Sequence, residues 1–72
     1  MDKDISDILN KALSLLNNNK FDEANSVYHD GIFKFPDSHQ IYHAYGVALI
    51  AKNEPMLAIE KFHQALKLDP QN

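Results

Sequence analysis

Placed at 100° per residue, Ile5, Ile8, Leu9, Ala12, Leu13, Leu15 and Leu16 fall within an arc of about 160°, and polar residues fill the rest of the turn. This spacing predicts a first helix with a wide apolar face, closed by the polar run Asn17-Asn18-Asn19-Lys20. Asp2, Asp4 and Asp7 stand near its start, where the helix macrodipole favours negative charge. A second helix is predicted from about Phe21 to Phe35, with Phe21, Ala24, Val27, Tyr28, Gly31, Ile32 and Phe35 on one side and Pro36 as its stop. Gly31 inside that helix costs about 1 kcal/mol relative to alanine, which suggests a close helix contact. Phe33 falls on the polar side, and this helix alone does not explain it.

From Ile41 to Ala51 nearly every residue is apolar, all round the axis, the mark of a helix buried on several sides. Asp37, with Gln40 three residues on, resembles a capping box at its start. Asn53-Glu54 breaks the helix, and Pro55 opens a fourth at a position where its missing N–H costs nothing. The stretch Ala58–Pro70 consists of strong helix formers with Ala58, Phe62, Ala65 and Leu66 on one side, a face that lets another helix come close. Four helices of similar length joined by short loops predict an all-α domain of antiparallel neighbours spanning residues 1–72.

Shifted by 34 residues, the chain matches itself. Leu15 falls on Leu49, Asn19 on Asn53, Ala24 on Ala58, His29 on His63 and Pro36 on Pro70. Ala12 meets Gly46, Tyr28 meets Phe62, Gly31 meets Ala65 and Ile32 meets Leu66, so small and large positions coincide. Two copies of one helical hairpin follow.

The pattern resembles the tetratricopeptide repeat (TPR) family, whose 34-residue unit sets aromatic, glycine, alanine and proline residues at fixed offsets. The second copy, residues 39–72, carries the resemblance through Tyr42, Tyr45, Gly46, Leu49, Ala58, Phe62, Ala65 and Pro70. The first, residues 5–38, is looser, through Ile8, Ala12, Leu15, Ala24, Tyr28, Gly31 and Pro36. It departs at Lys11, where the family usually has an apolar residue; a solvated lysine fits an N-terminal cap. The resemblance implies two tandem helix-turn-helix hairpins in a short right-handed solenoid.

Composition narrows the function. With 72 residues, the chain is near the lower limit for a self-sustaining core, burying only about 60% of its unfolded surface. A net charge of −3 without a basic cluster lacks the footprint of a nucleic-acid binder. There is no cysteine, which excludes disulfides and thiolate metal sites; the start Met1-Asp2-Lys3-Asp4 is too acidic for a signal or transit peptide and no apolar run approaches membrane-spanning length, so a cytoplasmic location without membrane partners is the default expectation. His39 and His43 have the four-residue spacing of a helical chelate, but no carboxylate or cysteine joins them on that helix face, and a metal site needs three or four ligands. His29 and His63 read as solvated repeat equivalents. Ser6, Ser14, Ser26 and Ser38 lack a glycine-rich elbow, and no phosphate-cradling loop occurs. No enzyme activity, metal or cofactor is expected.

In the TPR family the first helix of each hairpin lines a concave groove that holds an extended peptide or a helix. Carried over, the resemblance implies a partner-binding face of Leu9, Leu13, Leu16, Gln40, His43, Val47 and Ile50, flanked by Ser6, Asn17 and Ala51. Leu13 and Val47 stand where one subfamily has asparagines that clamp acidic chaperone tails, so the implied partner is an apolar or amphipathic protein segment, or a second copy. The other function class is a structural one, in which the hairpins begin a longer solenoid and have no ligand of their own. Only Gln71 and Asn72 follow Pro70, so the outer side of the fourth helix, with Leu57, Phe62 and Leu66, is expected to be a second apolar seam.

Overall fold

The computed structural model describes residues 3–70, so Asp2, Gln71 and Asn72 lie outside the described residues. It contains α1 (Lys3–Asn17), α2 (Phe21–Lys34), α3 (His39–Ala51) and α4 (Pro55–Leu68), close to the expected bounds. The architecture is all-α: α1 pairs with α2 and α3 with α4 as two hairpins, and α3 also packs on α2 and along α1. Among the described residues α4 touches no helix but α3. α3 is therefore the element that holds the molecule together.

The two hairpin turns are built alike. Asn19 and Asn53 adopt left-handed φ values of 61° and 66°, a conformation asparagine tolerates better than most side chains. The following residues then reach back in the same way, the Lys20 amide donating to the Leu15 carbonyl and the Glu54 amide to the Leu49 carbonyl, both at 2.8 Å. Both turns thus satisfy helix-end carbonyls that would otherwise be orphaned. Across the turns, Lys52 Nζ lies 2.6 Å from Asp22 Oδ1 and 3.6 Å from Glu54 Oε2, bridging the two hairpins at the surface.

The core is built mainly from small side chains. Ala12, Ala24, Ala48, Ala58 and Ala65 are buried, with Tyr28, Leu49 and the fully enclosed Ile41 supplying the bulk. Alanines at these positions let helix backbones approach closely, and Gly31 and Gly46 do the same. Tyr28 stacks on Tyr45 with ring centroids 5.5 Å apart, a contact that pins α2 to α3.

Three expectations are corrected. The cap of α3 is Ser38, not Asp37: its Oγ accepts from the Ile41 amide at 3.4 Å and donates to Gln40 Oε1 at 3.1 Å. Ser38 is buried and extended at this point, which places its hydroxyl under the first turn. Phe62 belongs to the outer seam of α4 only in part, because its ring turns inward against Gly46 and His43 while still bordering the surface hollow it shares with Ala65 and Leu66. Finally, a carboxylate does accompany the α3 histidines: Asp69, just beyond α4, sets Oδ2 3.3 Å from His39 Nε2 and ties the start of α3 to the end of α4. Phe33 is 89% exposed and packs on nothing that explains it.

Burial raises the Tyr28 hydroxyl above its ordinary pKa of 10.0, and Tyr45 is raised by burial and then by Glu54, partly offset by Lys52. Lys52 is raised by its hydrogen bond to Asp22. As pH climbs past the unfolded values, the unfolded chain sheds protons that the folded one keeps, so stability falls. Thermal melts from pH about 8 to about 11 are expected to show this loss, and Tyr28→Phe, which cannot ionise there, should reduce its slope.

Candidate interaction cleft

α1 and α3 lie side by side on one face of the molecule, and the furrow between them forms a cleft of about 270 Å³. Leu9, Leu13 and Leu16 of α1 form one wall, at the spacing that keeps side chains on one helix stripe. His43, Ala44 and Val47 of α3 form the other, and Tyr28 of α2 also lines it. Leu13 is 53% and Val47 49% exposed, so the rim is apolar and open to water. Leu9 and Leu16 are half-buried, as expected of residues that also pack against the core.

Five residues expected on the partner-binding face, Leu9, Leu13, Leu16, His43 and Val47, line this single cleft. Gln40 does not. It lines a separate surface hollow of about 370 Å³ with Ile5, Lys34, Phe35 and Pro36, and its amide oxygen accepts from the capping Ser38 hydroxyl. Ile50 is half exposed but outside the cleft lining, as are the exposed Ser6, Asn17 and Ala51. Asn10, Ala44 and Tyr28 line the cleft without having been expected there. Tyr28 is buried in the core, and its burial does not prevent it from lining a cleft opened between the helices in front of it.

The cleft has no titratable pair arranged for proton transfer, and His43 is its one ionisable wall residue apart from the Tyr28 hydroxyl, which burial holds protonated. Among the described residues no three of His, Asp and Glu gather closely enough to hold a metal ion. His39 Nδ1 and Asn25 Oδ1 are buried atoms without a hydrogen-bond partner, and neither lines the cleft. No described helix is long and apolar enough to cross a membrane. Compared with family models, curated proteins and solved structures, the chain matches none. What is established is a small all-α module of two helical hairpins.

Proposed function

We propose that the chain is a non-enzymatic protein-interaction module of two tetratricopeptide-like repeats, taking an apolar or amphipathic protein segment, or a second copy of itself, into the cleft between α1 and α3. The single observation that carries the reading is that apolar side chains from two helices converge on one open furrow while Leu13 and Val47 remain about half exposed. Side chains of this kind each contribute roughly 1.5–3 kcal/mol on going from full exposure to burial, so a partner that covers the wall gains about half of that from each of Leu13 and Val47 and less from Leu9 and Leu16. Association itself costs about 4–15 kcal/mol, which makes a snug, preorganised ligand necessary. The repeat assignment is supported by the 34-residue register and by the likeness of the turns at Asn19 and Asn53.

Replacing both Leu13 and Val47 with glutamate is the test. Both residues project from the rim, so helicity by circular dichroism is expected to stay within error of the parent. Self-association by sedimentation, or capture of an amphipathic helical peptide, is expected to be lost. Undiminished association with intact helicity would remove the cleft from consideration.

A further inference from the structure

α3 differs from the other three helices in containing no Asp, Glu, Lys or Arg. A helix apolar all round is normally enclosed on every side. Three sides of α3 are taken by α1, α2 and α4. The fourth is bare, with Val47 49% and Ile50 52% exposed. These two side chains point in different directions. Val47 lines the α1–α3 furrow, whereas Ile50 is outside its lining. Ile50 comes seven residues after His43, so it shares the stripe of α3 that leans toward α4, where His43 meets the Phe62 ring. A single segment laid in the furrow, whether from another protein or from elsewhere in this chain, covers Val47 and leaves Ile50 bare.

We infer that the α1–α3 face takes a second copy of the chain, related by a twofold axis, with α3 of each copy seated in the furrow of the other; this depends on that face being the binding surface proposed for it. Symmetry then does what a single segment cannot. With the second copy's α3 in this furrow, this α3 lies in the second copy's furrow, and the flank carrying Ile50 meets the second copy's α1. The two ridges are alike, because Leu13 and Val47 stand 34 residues apart, as do Leu16 and Ile50. An isologous contact sets a surface against itself, so a charge near the axis would meet its own sign. No Asp, Glu, Lys or Arg lines the furrow. Asp4, Asp7 and Lys11 stand on the side of α1 opposite Leu9 and Leu13, with Lys11 in a separate hollow beside Val27 and Asp30. The border is polar but uncharged, with Ser6, Asn10, Asn17 and Gln40 exposed around an apolar centre, the anatomy of a protein interface. Helices of 15 and 13 residues, about 20 Å long and about 8–10 Å apart, offer a corrugated face on the order of 500 Å². Two such faces together bury on the order of 1,000 Å², the lower edge of specific interfaces, so the dimer is weak and reversible.

Sedimentation equilibrium of the full chain from about 1 μM to about 1 mM, the span of weak association, is expected to show a reversible equilibrium that stops at the dimer. Over the same range, backbone amide shifts of the labelled protein are expected to move at Leu13, Val47 and Ile50 and to stay fixed at Phe33, which is 89% exposed on α2. Ile50→Glu is expected to weaken association at least about tenfold with helicity unchanged by circular dichroism, because a charge would be buried without a partner. Ile50→Asn, which adds no charge, should act in the same direction. A chain still monomeric at about 1 mM overturns the inference. So does a dimer whose shifts centre on Phe33 or Leu66, or one that Ile50→Glu leaves intact. A monomer that captures an amphipathic peptide at Leu13 and Val47 overturns it too, yet leaves the proposed function standing. Association untouched by Leu13→Glu with Val47→Glu removes both.

Discussion

Ile41→Ala is expected to remove about half of the stability of this domain. Ile41 is the largest side chain enclosed completely, and it lies at the junction of the hairpins, where α3 meets Gly31 of α2. Truncating a buried isoleucine to alanine costs about 2–5 kcal/mol, the larger values arising where the surroundings cannot collapse into the gap. Collapse is difficult here because the neighbours Ala12, Ala24 and Ala48 are already short and sit on helix backbones in close contact. A 72-residue domain has roughly 4–11 kcal/mol to lose in total. The melting temperature is therefore expected to fall by tens of degrees, at about 4–8 °C per kcal/mol. Ile41→Val, which removes one methyl, is the graded control at about 0.5–1.5 kcal/mol. An alanine variant that loses less than the valine one would mean that Ile41 is not enclosed as described.

The same residue explains how far the sequence could be read. The helices were legible because their signals are local: Pro36 and Pro55 stop and start elements, the run Asn17-Asn18-Asn19 and the lone Asn53 end the first helix of each hairpin, and α1 has a sharply one-sided wheel. Hairpin pairing was legible through the 34-residue register. What a wheel cannot give is the azimuth of the neighbouring helix. α3 is apolar all round, so nothing in its own pattern says that Ile41 and Leu49 go inward while Val47 and Ile50 face water. The expected partner-binding face therefore extends along α3 beyond the residues that line the cleft, to Gln40 at one end and Ile50 at the other. Gln40 was drawn away by the true cap, Ser38, a choice between adjacent residues that depends on a single extended backbone conformation. Asp69 was missed beside the α3 histidines because it arrives from another helix, thirty residues away from His39 in sequence.

The two glycines are expected to respond in opposite directions to alanine. A Cβ at Gly31 would stand 3.1 Å from Ile8 Cγ2, and Ile8 is a half-buried side chain able to yield a few tenths of an ångström. Against that small cost, replacing a helical glycine by alanine gains about 1 kcal/mol of helix propensity, so Gly31→Ala should be neutral to mildly stabilising. The equivalent position in the second hairpin, Ala65, already bears that methyl. At Gly46 the same atom would meet three carbons of the Phe62 ring at 2.6, 2.8 and 2.9 Å, distances that no adjustment of a few tenths relieves. The ring would have to swing out of its place between Gly46 and His43, toward the open hollow beside Leu66. Overpacking of this kind costs about 1–3 kcal/mol, which outweighs the gain in propensity, and the melting temperature of Gly46→Ala should fall. Adding Phe62→Leu to Gly46→Ala is expected to cost less than the sum of the two single changes, because the clash and the ring are one interaction. Strictly additive effects, or a rise in melting temperature for Gly46→Ala matching that of Gly31→Ala, would mean that the Phe62 ring does not lie on Gly46 in solution.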